Sequence, residues 1–173
     1  GYKAIAAATL GIAFIGSLVW AHHMFTVPMP FFLLVFFTLG TYLVAIPTGV
    51  KIFNWTFTMW HGAIEYRVAM MYGVGMLVTF LCGGVTGTFL ATFPVDWQLH
   101  DTYFVVAHLH YVLIGGAVFP LFGGFAYWFP KITGRMMSER LGRWSFWLFF
   151  VGFNVTFFPM HQLGLEGMPR RIY

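Results

Sequence analysis

The sequence predicts an all-α fold, a polytopic transmembrane helix bundle of about five helices, on three observations. Of the 173 residues 60% are hydrophobic and only 8% charged, with mean hydropathy +0.79. A soluble domain carries about a quarter charged residues. The few charges mark boundaries and leave five apolar spans: Ala4–Trp20, Val27–Trp60 interrupted only by Lys51, Val68–Val95, Thr102–Pro130 and Trp144–Leu165. Lipid supplies no hydrogen-bond partners, so stretches of this length satisfy their backbones internally as helices.

The first span ends in Trp20-Ala21-His22-His23, where Trp20 suits the aromatic belt of an interface. The second is unusually long, and Pro47 with Gly49 suggests a kink just before Lys51. The fourth opens after His100-Asp101 and carries His108 and His110 without any other charge, and the fifth is followed by Gly167-Met168-Pro169-Arg170-Arg171. The connections are short, so the chain reads as a single transmembrane domain over residues 1–173. It begins at Gly1 without Met, and is read as a piece of a larger protein or one chain of a split one. Cys82 is the only cysteine, which rules out an intrachain disulfide. The net charge of +4 is spread between spans and forms no patch, which argues against nucleic acid.

Alternating the spans places Lys3, Arg67, Lys131, Arg135, Arg140 and Arg143 on one side, expected to be cytoplasmic. His22, His23, His100, Asp101, Arg170 and Arg171 then gather toward the other side. His108 and His110 lie roughly 9–12 Å into the fourth span at helical rise.

Each group has two readings. Positions i and i+2 on a helix point to nearly opposite sides, so His108 and His110 cannot share one small ion but can serve two separate centres. A packed histidine is the alternative, and an uncharged span favours function. Adjacent histidines point about 100° apart in regular helix, so joint ligation by His22 and His23 needs an irregular segment; interfacial histidines are the plain alternative. Asp101 with His100 suits either a helix cap or a hard-cation site. Lys51 can snorkel to the interface, which spacing alone favours, or join a proton path with Thr48 on the same helical face. Arg170 and Arg171 suit lipid phosphate or carboxylates bound in a fork. His61 and His161 have no evident partner and are read as structural.

Several segments, taken in order, resemble subunit I of the haem–copper oxidase superfamily and, within it, the cytochrome c oxidases. They are Val19-Trp20-Ala21-His22-His23-Met24-Phe25-Thr26-Val27, Ile46-Pro47-Thr48-Gly49-Val50-Lys51, His100-Asp101-Thr102-Tyr103, Val105-Val106-Ala107-His108, His110-Tyr111-Val112-Leu113, Asn154-Val155-Thr156-Phe157-Phe158-Pro159 and Gly167-Met168-Pro169-Arg170-Arg171. The resemblance covers essentially the whole chain and implies about five helices of a twelve-helix subunit.

It implies that His22 and His23 are two of three copper ligands in an oxygen-reducing binuclear centre. His108 would bind the iron of the high-spin haem, and His110 would be one axial ligand of the low-spin haem. Both haems would be of the haem A type. His100 and Asp101 would hold magnesium or manganese near subunit II, Arg170 and Arg171 would pair with haem propionates, and Thr48 and Lys51 would belong to a proton pathway. The implied reaction is reduction of O2 to water, coupled to proton pumping, with electrons from cytochrome c through a copper centre in subunit II. The implied partners are the remainder of subunit I, subunit II, subunit III, cytochrome c and the lipid bilayer, with a bacterial plasma membrane preferred to a mitochondrial inner membrane.

There are departures. Leu109 stands where the family commonly has Phe between the haem histidines. The chain has no third copper histidine with its cross-linked tyrosine, no second low-spin haem ligand and no other proton-entry pathway, so alone it is not expected to be an active oxidase. A quinol oxidase of the same superfamily is the nearest alternative. A metal-dependent cation transporter is more distant, since it leaves the opposed histidines and the twin arginines without a joint purpose.

Overall fold

The computed structural model describes residues 1–172. Its elements run α1 (Tyr2–Gly16), a 3-10 turn (Trp20–His23), α2 (Phe31–Met59), α3 (Val68–Ala91), α4 (Phe93–Leu99), α5 (Tyr103–Leu113), a π turn (Ile114–Val118), α6 (Phe119–Thr133) and α7 (Glu139–Leu165). Among the described residues there is no β-strand, only an isolated antiparallel bridge between Thr102 and Pro169.

Among the described residues four helices are long and apolar enough to cross a membrane: Phe31–Met59, Val68–Ala91, the continuous run Tyr103–Thr133 and Glu139–Leu165. The first expected span differs. It is the apolar helix Tyr2–Gly16, which stops four residues before Trp20. The histidines that follow sit in a 3-10 turn rather than on an α-helix end. The third span breaks at Thr92 (φ −86°, ψ 101°), so Val95 belongs to the separate short helix α4. Helix α2 runs through Pro47 without interruption.

The chain divides into two compact units, one of Gly1–Ile64 with Gly87–His100, the other of Glu65–Thr86 with the chain from Asp101 onward. In the first unit α1 packs along α2, with Gly11 against Pro47. The segment after the 3-10 turn is pinned by Phe25, which is fully buried, packs edge-on to Phe93 and accepts a 2.8 Å hydrogen bond from the Trp97 indole at its carbonyl.

The second unit is built on an aromatic core of Val68, Tyr72, Tyr111, Phe119, Phe146 and Phe153. Two glycines set its helix spacing. A Cβ at Gly83 would stand 2.9 Å from the Tyr111 carbonyl carbon and the Val112 nitrogen, so α3 and α5 meet backbone to backbone there. At Gly164 a Cβ would fall 2.0 Å from the Phe104 nitrogen, fixing α7 against the start of α5.

Candidate metal and haem ligands

His22 and His23 converge, contrary to their divergence in regular α-helix. The 3-10 turn brings their rings edge to face at 4.2 Å between centroids, with Nε2 to Nε2 at 2.9 Å. Thr41 on α2 donates its only hydroxyl proton to the Phe37 carbonyl at 2.5 Å, so its contact of 3.0 Å with His22 is one in which His22 Nδ1–H donates. The lone pair of His22 is therefore on Nε2, the atom facing His23. Two imidazole nitrogens brought this close would hold a copper ion together once both present their lone pairs. The donor chemistry fits copper, with two ligands of a set. Among the described residues no cluster of three or more His, Cys, Asp or Glu forms a metal site.

His108 and His110 diverge, as their spacing on α5 requires. Both nonetheless adopt the same tautomer. His108 Nδ1–H donates to the Gly83 carbonyl at 2.9 Å, with Thr86 Oγ1 at 3.1 Å beside it. His110 Nδ1–H donates to the Val106 carbonyl one turn back at 2.7 Å. A carbonyl only accepts, so Nε2 carries the lone pair on each ring. Metal-bound histidines are characteristically tied this way by the second nitrogen, which fixes ring orientation and raises basicity. The His110 ring also lies flat on Phe157 of α7, 4.0 Å between centroids and 16° between planes. The donor set fits haem iron at both positions.

His100 and Asp101 each have a charged partner of their own. His100 Nδ1 lies 3.3 Å from the carboxylate of Asp96, which is buried in α4. Asp101 has a left-handed backbone (φ 57°), and the tail after α7 folds back onto it. Tyr103 N–H donates to Met168 O at 3.0 Å and Arg170 N–H to Asp101 O at 2.8 Å. This brings Arg170 Nε to 2.6 Å from the Asp101 carboxylate, with Arg171 at 4.0 Å. The capping reading of Asp101 is corrected here. Thr102 caps α5, its hydroxyl accepting Phe104 N–H at 3.2 Å, while the Asp101 carboxylate accepts from Arg170.

Thr48 and Lys51 are not joined. Thr48 donates to Val44 O at 2.8 Å, and the Lys51 ammonium lies 5.3 Å from the centroid of Trp55, one turn on. His61 lies against Trp60. His161 donates through Nδ1 to Phe158 O at 3.1 Å and buries Nε2 beside Phe104 and Tyr111.

Four supporting groups escaped the sequence reading: Thr41, Gly83, Thr86 and Asp96. Each lies on a different helix segment from the histidine it holds or, for Asp96, one turn before it. Only Asp96 had a local signal, four residues ahead of His100.

The family model described as "Cytochrome C and Quinol oxidase polypeptide I" matches residues 1–173. The chain belongs to that family. It is 55% identical over 173 residues to cytochrome c oxidase subunit 1 of Bacillus sp. (strain PS3), covering all of this chain and 28% of that protein. It is 55% identical over 172 residues to cytochrome c oxidase subunit 1 of Synechocystis sp., covering 99% of this chain and 31% of the relative. The quinol oxidase subunit 1 of Bacillus subtilis is 49% identical over 173 residues, all of this chain and 27% of that one. A solved heme-copper terminal oxidase dimer shares the fold, with TM-score 0.78 at 23% identity over 89% of this chain and 31% of that chain. The chain thus spans less than a third of the length of these curated relatives. As a member of this family with four membrane-length apolar helices, it is a multi-pass membrane protein.

Proposed function

We propose that the chain is part of the catalytic subunit of a terminal respiratory oxidase of the bacterial plasma membrane. It reduces O2 to water with electrons from cytochrome c and couples that reaction to proton pumping. The observation that carries this reading is the pair His108 and His110, which hang from one helix on opposite flanks, each with Nδ1–H held by a carbonyl and the lone pair on Nε2.

In this reading His108 and His110 hold the high-spin and low-spin haem irons, both of haem A type. His22 and His23 hold the copper, with the third ligand coming from another part of subunit I. When bound, these groups supply one-electron carriers and a paired metal site at which O2 is reduced. The protein's own contribution is orientation. Gly83 O and Val106 O keep the two imidazoles in one tautomer, Thr41 does the same for His22, and Phe157 shields one face of His110 from water. Arg170 and Arg171 pair with haem propionates, a chemistry Arg170 already exercises on the Asp101 carboxylate. His100, steadied by Asp96, holds magnesium or manganese with Asp101. Thr48 and Lys51 belong to a proton pathway that feeds the site from the inner side. Residues 1–173 form one transmembrane domain, which works with the remainder of subunit I, subunit II with its copper centre, and subunit III.

The test is a reduced-minus-oxidised optical spectrum of the intact complex with iron and copper analysis. Two haems and a copper in the subunit I complement are expected, and a haem-free complex with metal-dependent ion flux overturns the reading in favour of a transporter. Turnover with reduced cytochrome c against ubiquinol then decides the donor. The 49% identity to a quinol oxidase makes faster ubiquinol turnover the outcome that replaces cytochrome c.

A further inference from the structure

An open groove of about 400 Å3 runs along the first two turns of α7, lined by Glu139, Arg140, Arg143, Trp144 and Trp147. We propose that this groove binds an anionic phospholipid, its phosphate held by Arg140 and Arg143 and its glycerol and upper chains laid along the two indoles. None of these residues serves the candidate ligand sites.

The spacing comes first. Positions 140, 143, 144 and 147 follow the i, i+3, i+4, i+7 rule and form one stripe on the helix surface. Along that stripe chemistry changes once. The last charge is Arg143, and from Trp144 the helix runs uncharged to Leu165. Two guanidinium groups thus stand just outside the apolar span, and two indoles stand just inside it. That is the order of phosphate, glycerol and hydrocarbon across a leaflet, and tryptophan favours this depth.

The groups are also prepared for a ligand. Trp144 and Trp147 are 61% and 53% exposed. Arg143 is braced by the Tyr66 carbonyl at 3.3 Å and by Glu139 at 4.0 Å, which leaves most of its five donors to point outward. The Arg140 guanidinium makes no hydrogen bond or ion pair among the described residues. Glu139 does not cancel the charge at the mouth, since its carboxylate also accepts the Val68 N–H at 3.2 Å. Charge selects the headgroup: two arginines against one already engaged carboxylate favour a net-negative lipid over a zwitterionic one. The volume admits a headgroup and the start of its chains. A free phosphate would leave both indoles unused.

The full-length protein, purified in its complex and stripped of endogenous lipid, is titrated with micelles containing brominated phosphatidylglycerol or brominated phosphatidylcholine. Bromine quenches only indoles it touches. Half-quenching is expected at about fivefold lower mole fraction for the anionic lipid, the equivalent of roughly one arginine at a membrane surface. The preference should vanish in R140Q/R143Q and persist in R140K/R143K, and W144F/W147F should lose the saturable component. Equal quenching by the two lipids, or a preference undiminished in R140Q/R143Q, overturns the site. If that variant does not fold, W144F/W147F decides alone, because it keeps aromatic bulk and removes only the reporters. Anionic-lipid-specific quenching that survives in it places the lipid elsewhere and overturns the proposal.

Discussion

His22–His23 and His108–His110 are two pairs of the same residue with opposite geometry, and the difference lies in backbone rather than in side chain. Adjacent histidines would splay on an α-helix, but a 3-10 turn draws their Nε2 atoms to 2.9 Å. Histidines two apart would also splay, and on the regular helix α5 they do. One pair can therefore share an ion, whereas the other can only serve two separate centres. Their supports differ in kind as well. His22 relies on a side chain, Thr41, while His108 and His110 rely on carbonyls that no substitution removes.

The sharpest way to break this comparison is by ligand removal. H22A, H23A and the double variant should all lose the copper to the same extent, because each destroys one shared centre. H108A and H110A should each remove about half of the haem, and the double variant all of it, since the two irons are held independently. Copper and iron content with a pyridine haemochrome assay on the purified complex reads both patterns. Loss of both haems from H108A alone would show that α5 does not separate two centres.

Next in size is G164A. Its methyl would stand 2.0 Å from the Phe104 nitrogen, a backbone atom that cannot rotate away. Forcing α7 off α5 should cost about 3 kcal/mol, at the upper end for overpacking. It also lifts Phe157 from the His110 ring. Thermal release of haem should occur at lower temperature in G164A, with copper content at wild-type level, because the His22–His23 turn belongs to the other compact unit.

T41V is smaller and local. Valine keeps the shape but removes the acceptor for His22 Nδ1–H, and losing such a support typically weakens metal binding about 10–100-fold. Chelator titration of the copper should show it. T86A, by contrast, leaves His108 its bond to Gly83 O and should change haem retention only a few-fold.

These supports mark where the sequence stops being legible. The absence of charge announces the spans, because hydrocarbon tolerates little else. The opposed directions of His108 and His110 follow from 100° per residue and needed no coordinates. The convergence of His22 and His23 did not follow, since nothing in Trp20-Ala21-His22-His23 distinguishes a 3-10 turn from an α-helix end. The break at Thr92 was hidden because Phe93-Pro94-Val95 continues the apolar run, with Pro94 tolerated in the first turn of a new helix. The pairing of Arg170 with Asp101 was hidden because it joins residues 69 apart through a fold-back. Local rules name the residues that can do chemistry. Which of them meet depends on turns and returns that those rules leave open.

The smallest effect asks whether α5 holds its histidines by itself. Tyr111, next to His110, donates to Asn154 Oδ1 on α7 at 2.7 Å, and Asn154 in turn donates to Phe150 O at 2.8 Å. If α7 set the His110 ring through this network, Y111F would disturb the low-spin haem spectrum. The structure gives the ring a nearer anchor, Val106 O on its own helix. Interhelical hydrogen bonds inside membranes average about 0.6 kcal/mol, because the separated helices find other partners. Y111F should therefore lower thermal stability by about that amount and leave the position of the low-spin haem band unchanged. A shifted band with unaltered stability would transfer control of His110 from α5 to α7, and the contrast between the two histidine pairs would then be one of neighbouring helices rather than of backbone geometry.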